Sequence, residues 1–196
     1  SLKVIPNFSP FPISQSSKDN FSNTIIAIGR LTDQKNFSHL LKAWKIASKS
    51  LPDWKLAIYG DGELKTDLEQ EIVSEKIINI SLLNAVNDIE AVYKNASFIV
   101  MSSKFEGLPM VLIEAQTFGL PIVSYDCPHG PKEIIEHGVN GFLVENQNIE
   151  ELAKYIVKLA SSESLLKKMS DNSLIVAEKY QPKAILEQWN NEVFKK

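Results

Sequence analysis

The sequence predicts an α/β fold: a doubly wound parallel sheet with helices on both faces, followed by C-terminal helices. Two observations predict it. The first is that short apolar, β-rich runs alternate with helical patterns from residue 24 onward. Such alternation builds parallel strands whose crossover helices cover both faces of the sheet, with right-handed connections. The second is local: glycines, prolines and charged residues cluster directly after the strands. In folds of this class ligands bind beyond the carboxyl ends of the strands.

The strands are expected at Thr24–Ile28, Lys55–Tyr59, Ile77–Leu83, Phe98–Met101, Pro121–Tyr125 and Gly141–Val144. Helices are expected between them near 37–50, 63–75, 87–95, 109–118 and 131–137, and after the last strand near 149–160, 163–179 and 183–195. Helical spacing is plain in Leu40, Leu41, Trp44 and Ala47, and again in Leu152, Ile156 and Leu159. Residues 6–23 hold Pro6, Pro10 and Pro12 among Ser and Asn and read as an extended linker. Residues 1–23 are therefore set apart from a domain that starts at residue 24.

A length of 196 residues suits one well-packed domain. A hydrophobic content of 44% and a charged content of 23% place it among soluble globular chains. The net charge of -3 leaves no basic surplus for phosphate neutralisation, which argues against a nucleic-acid partner. No apolar run is long enough to cross a bilayer, and the first residues lack the pattern of a signal peptide. The single cysteine, Cys127, excludes an internal disulfide and a cysteine-based zinc site, and fits a cytoplasmic setting. The three histidines are scattered and make no metal site.

Arg30 is the only arginine in a lysine-rich chain. A guanidinium grips phosphate or carboxylate through a planar fork that an ammonium lacks. It lies directly after the first strand, in Gly29-Arg30-Leu31-Thr32-Asp33-Gln34-Lys35-Asn36. Gly29 lets a ligand approach the backbone, and Arg30 and Lys35 set two cations near a helix start, a reasonable cradle for a diphosphate. The bland alternative is a solvated loop. Gly60-Asp61-Gly62 after the second strand lacks a third glycine and reads as a tight turn rather than a phosphate loop.

The fourth unit is the most informative. Pro109 suits the first turn of a helix, and Gly107 leaves room beside the exposed N–H groups, where the helix dipole favours an anion. Glu106 stands at the mouth of that helix. Glu114 lies about 7–8 Å further down its axis. The two carboxylates match the elongated shape of a nucleotide sugar, with hydroxyl groups at both ends. A glycosidase-like pair and an exposed helix glutamate are the alternatives. His129, in the loop before Gly130-Pro131, is a tempting acid or base but more simply a solvated loop residue. His137 is expected at a helix C-terminus. Tyr59, Trp44, Trp54 and Trp189 are expected to pack.

These motifs resemble those of the family-4 glycosyltransferases, which have the two-domain GT-B fold. The matching words are Ile28-Gly29-Arg30-Leu31 with Lys35, Gly60-Asp61-Gly62, and Glu106-Gly107-Leu108-Pro109 through Glu114, a glutamate–seven-residues–glutamate motif. Phe118-Gly119-Leu120-Pro121-Ile122-Val123 and Asn140-Gly141-Phe142-Leu143-Val144 also match, so that the likeness covers about residues 20–195. Two departures are Asn84 and Asn36, each where many members have glycine; Asn can still take the left-handed conformation.

The resemblance implies a Rossmann-like donor half, residues 24–179, of a retaining enzyme that moves a hexosyl or N-acetylhexosaminyl group from a UDP- or GDP-linked sugar to an acceptor hydroxyl. Arg30 and Lys35 would bind the diphosphate without a metal or other cofactor. Glu106 would meet the sugar hydroxyls and Glu114 the ribose. Gly29 and the backbone from Gly107 through Leu108, Pro109, Met110 and Val111 would meet sugar and phosphates, and Asn84, Ala85 and Val86 would border the base. The resemblance further implies a missing N-terminal acceptor domain before Val4-Ile5-Pro6-Asn7, on which residues 180–196 would pack. That domain would also carry peripheral contact with the inner face of the membrane. On this reading the chain alone transfers no sugar. A sugar-nucleotide epimerase and a non-catalytic sugar-nucleotide binding module are the competing functions.

Overall fold

Six strands carry the apolar runs: β1 (Thr24–Ile28), β2 (Lys55–Tyr59), β3 (Ile80–Leu83), β4 (Phe98–Met101), β5 (Ile122–Tyr125) and β6 (Gly141–Val144). The computed structural model describes residues 5–15 and 21–194. Residues 1–4 and 16–20 of the expected linker, Val4 among them, lie outside these. All five strand pairings are parallel, and the order across the sheet is β3-β2-β1-β4-β5-β6. Every residue of β4 and β5 is buried, as two covered faces require.

The helices between the strands are α1 (Phe37–Ala47), α2 (Lys65–Ser74), α3 (Ile89–Asn95), α4 (Met110–Thr117) and α5 (Pro131–Ile134). Beyond β6 come α6 (Ile149–Ala160), α7 (Glu163–Ala177) and α8 (Pro182–Glu192). Helix α1 packs against α6, and α4 against α7, which places helices on both faces of the sheet. Short polar side chains fix three of the starts. Asp88, Asn148 and Ser162 each accept a hydrogen bond from the N–H three residues on. Trp44 and Trp54 are core residues, and Trp44 Nε1 donates to Ile78 O at 3.0 Å. Trp189, in contrast to expectation, is 41% exposed, because α8 turns only its Ile185 inward.

Several boundaries differ from expectation by a few residues, and three of them have plain local reasons. The third strand starts at Ile80 rather than Ile77, because Lys76 and Asn79 are both left-handed and turn the chain between α2 and β3. Pro109 is extended and precedes α4 instead of sitting in its first turn. Helix α5 stops at Ile134 rather than 137. The Ile134 carbonyl accepts hydrogen bonds from Gln116 Nε2 and Asn140 Nδ2, and the Glu136 N–H donates to Asn140 Oδ1. The buried Asn140 side chain thus takes over the bonds a further turn would have made. His137 is consequently not at a helix end. It forms a bridge with Gly141, and its Nδ1 accepts from the Leu143 N–H at 3.2 Å.

Candidate functional site

Strand order reverses between β1 and β4, whose helices leave to opposite sides. A crevice opens at such a switch point. The loops that line it are Gly29–Asn36 after β1 and Ser102–Pro109 after β4. They are tied together: the Lys104 N–H donates to Gln34 O at 2.9 Å, Gln34 Nε2 to Phe105 O at 3.0 Å, and Ser102 Oγ to Lys35 O at 3.0 Å. Lys104 also pairs with Asp33. Asn36 takes φ 53 and ψ 42, the left-handed conformation, and leads into α1.

The centre of the crevice is an ion pair. Lys35 Nζ donates to Glu106 Oε1 at 2.6 Å, and Ser103 Oγ donates to the same oxygen at 2.6 Å. The lysine and glutamate side chains are only 17% and 7% exposed. The lysine reaches its partner by running over Gly29: a Cβ on Gly29 would lie 3.2–3.3 Å from three carbons of its stem. An ammonium has three hydrogens and a carboxylate two oxygens. The pair therefore keeps spare ammonium hydrogens, and Glu106 Oε2 has no hydrogen-bond partner among the described residues. Arg30 is exposed and makes no ion pair among the described residues.

Two cavities open next to residues adjoining this pair: Gly29, which the Lys35 stem covers, lines one, and Gly107, which follows Glu106, lines the other. One, of about 290 Å³, is lined by Gly29, Arg30, Ala85 and Val86 together with Ile28, Tyr59, Gly60, Asp61 and Ile89. Its floor is backbone packed on backbone. A Cβ on Gly60 would sit 1.9 Å from Gly29 O, and one on Gly62 2.5 Å from Leu31 O, so both positions require glycine and the turn is structural. Asp61 holds the cavity rim by accepting from the Ala85 N–H at 2.9 Å. Asn84 stands one residue behind, its side-chain oxygen taken by Lys65. The second cavity, of about 700 Å³, is lined by Gly107 and Leu108, by Ile5, Pro6 and Asn7, and by His129, Glu133 and Tyr180. Gly107 has open space where a side chain would stand. Met110 and Val111 form the first turn of α4, whose N–H groups have no helical acceptor. His129 is exposed and left-handed, and no described group orients its ring.

Glu114 is half-buried rather than an exposed helix residue, and its Oε2 accepts from Tyr93 Oη at 2.8 Å. Burial, and next the Glu114 charge, push the Tyr93 phenol far above its ordinary range, so it is the donor. Tyr93 lies one helical turn after Ile89, on the same face of α3. Sequence reasoning missed Tyr93, Ser103 and the cavity walls Ile28, Tyr59 and Ile89. Ser103 was findable as a hydroxyl three residues from Glu106; Tyr93 gave no signal beyond its place before β4.

A Rossmann-like sheet with cations, a carboxylate and a helix start gathered at its switch point defines a doubly wound α/β domain with a charged crevice at its carboxyl edge. The chain belongs to the glycosyl transferases group 1 family, whose model matches residues 11–174. It is 39% identical over 169 residues to a Haemophilus influenzae glycosyltransferase, covering 86% of this chain and 48% of that one. To the amylovoran biosynthesis glycosyltransferase AmsD of Erwinia amylovora it is 37% identical over 198 residues, covering 97% and 55%. The chain thus spans about half the length of these relatives. A crystal structure of an S. aureus TarM mutant in complex with fondaparinux, alpha-GlcNAc-glycerol and UDP superposes with a TM-score of 0.85 at 26% identity, covering 97% of this chain and 39% of that one.

Among the described residues, no helix is long and apolar enough to cross a membrane, and no three His, Cys, Asp or Glu residues group as metal ligands.

Proposed function

We propose that this domain, residues 24–179, binds the nucleoside diphosphate sugar of a retaining, family-4 glycosyl transfer, and that a preceding domain holds the acceptor. The observation that carries the reading is the Lys35–Glu106 pair at the switch point, with donors and an acceptor to spare and adjoining residues that line two cavities. Spare Lys35 hydrogens and the Arg30 fork suit the diphosphate, and Glu106 Oε2 suits a sugar hydroxyl. The base would occupy the 290 Å³ cavity beside Ala85 and Val86, with Asn84 behind, and the ribose would meet Glu114. The sugar would face the backbone of Gly107–Val111 and the larger cavity.

In this reading the acceptor oxygen bonds to the anomeric carbon as the bond from that carbon to the phosphate oxygen breaks. The hydroxyl proton passes to the departing phosphate oxygen. The protein's share is positioning and charge stabilisation, by Arg30, Lys35 and the start of α4, without a metal ion. The donor is a UDP- or GDP-linked hexose or N-acetylhexosamine; UDP is favoured because the similar TarM structure holds it. Residues 180–196 would return to the acceptor domain, and the whole protein would work in the cytoplasm at the inner face of a membrane; the relative AmsD serves amylovoran biosynthesis.

The test is calorimetric titration of the 196-residue chain with UDP, GDP and ADP, with and without EDTA. Binding of one nucleotide that survives EDTA is expected. Strict dependence on magnesium or manganese overturns the metal-free reading, and no binding of any nucleotide overturns the donor site.

A further inference from the structure

We propose that Tyr93 is a positioning residue for the nucleotide: its phenol ties down one oxygen of Glu114 and leaves the other to the ribose, and Phe11 holds the Tyr93 ring in place. The inference rests on the reading of Glu114 as the ribose carboxylate. A glutamate on a helix has three rotatable side-chain bonds, and ordering them on binding costs affinity. The bond from Tyr93 Oη to Glu114 Oε2, 2.8 Å long, does that ordering in advance. Packing alone asks only for a phenyl ring at position 93. The ring is fully buried and stacks on Phe118, with centroids 5.2 Å apart and planes 14° from parallel. Its hydroxyl is instead directed to a charged group on α4.

The N-terminal segment adds a third ring to this stack, touching both of the others. Phe11 stands edge-on to Tyr93 at 6.3 Å and against Phe118 at 5.3 Å. That segment is pinned on both flanks: the Ser9 N–H donates to Tyr180 O at 2.8 Å and the Ser14 N–H to Thr117 O at 2.7 Å. Thr117 ends α4, the helix that bears Glu114. The segment leading into the domain and the carboxylate therefore share one aromatic cluster.

The experiment uses the 196-residue chain and its Tyr93→Phe, Phe11→Leu and Glu114→Gln variants, with the Tyr93→Phe/Glu114→Gln double variant. Dissociation constants are measured for UDP, 2′,3′-dideoxy-UDP and pyrophosphate. Tyr93→Phe should weaken UDP by about fivefold, the scale of one hydrogen bond to a charged group partly replaced by water. Dideoxy-UDP and pyrophosphate should bind as to the parent, and the double variant should be no worse than Glu114→Gln alone. Phe11→Leu should show the same selectivity at about twofold, which keeps the test open should Tyr93→Phe fold poorly. Equal weakening of all three ligands would mean a structural role only and overturn the proposal. Parent-like UDP binding by Tyr93→Phe, with Glu114→Gln impaired, overturns it while leaving the donor site intact. Parent-like binding by Glu114→Gln overturns both the inference and the ribose assignment beneath it.

Discussion

Replacing Lys35 by Met isolates the central ion pair. Methionine keeps the unbranched stem that covers Gly29 but removes the ammonium. Glu106 is then left with Ser103 as its hydrogen-bond donor at Oε1, in a side chain 7% exposed. Breaking a fully buried pair from one side costs about 3–5 kcal/mol. Here the lysine is 17% exposed and the serine remains, so the loss should fall to about 2–3 kcal/mol. For a domain of this size that is a fall of roughly 4–12 °C in melting temperature. The cause is an uncompensated carboxylate, so Glu106→Gln in the same chain should recover at least about half the loss. Urea unfolding of the parent, both single variants and the double variant gives the cycle. A Lys35→Met protein within about 0.5 kcal/mol of the parent, or no recovery in the double variant, would refute the reasoning.

Arg30→Lys keeps the charge and loses the fork; it should weaken UDP and pyrophosphate about tenfold with unchanged circular dichroism, and parent-like titrations would remove Arg30 from the site. Gly60→Ala drives a methyl against Gly29 O, where no rotamer relieves the clash, and should lower stability by more than about 2 kcal/mol, read by urea unfolding; a parent-like midpoint would contradict the backbone packing. Burial, and then the Glu106 charge, raise the Cys127 thiol to about 11, so iodoacetamide at pH 8 should label it only as fast as the chain unfolds; rapid labelling of native protein counts against this. Burial, and then Lys42 and Lys104, hold the His39 pKa below its ordinary 6.5. The unfolded chain then binds the extra proton first, so this contribution to stability is present above about pH 6.5 and lost as the pH falls through the folded value. His39→Gln should flatten the slope of stability against pH in that window, and an unchanged slope would exclude His39 as its source.

The strands were legible because a covered parallel strand is mostly apolar, and β1, β2, β4 and β6 have the bounds expected of them. Arg30, Lys35 and Glu106 were legible for a topological reason: they come directly after strands, and a doubly wound sheet gathers strand ends at one edge. Their partners were not. Tyr93 and Glu114 lie on different helices on either side of β4, and nothing in linear spacing pairs a mid-helix phenol with a mid-helix carboxylate. Asp61 holding Ala85 and Gly62 against Leu31 are likewise contacts between neighbouring βα units. The end of α5 was hidden because Asn140, which replaces its last bonds, comes later in the sequence. Local patterns carry the periodicity of a single element, whereas these features depend on register between elements.

The bonds across the switch point bear on how such a domain would work. Lys35 to Glu106, Lys104 to Gln34, Gln34 to Phe105 and Ser102 to Lys35 all join the loop after β1 to the loop after β4. These loops form the two walls of the crevice, and these bonds join one wall to the other. A diphosphate entering between them would not have to order either wall; it needs only to draw spare Lys35 hydrogens and the Arg30 side chain towards itself. In the proposed reading the entropy of assembling the site is met on folding rather than on binding, which would favour affinity and aim the charges before the leaving group develops. The larger cavity is tied as well: the Glu106 N–H donates to Pro128 O at 3.1 Å and Tyr180 Oη to Glu133 O at 3.0 Å, between walls that include Ile5, Pro6, Asn7 and His129. In the proposed reading, donor recognition is thus built into this domain, while exclusion of water and placement of the acceptor wait on another.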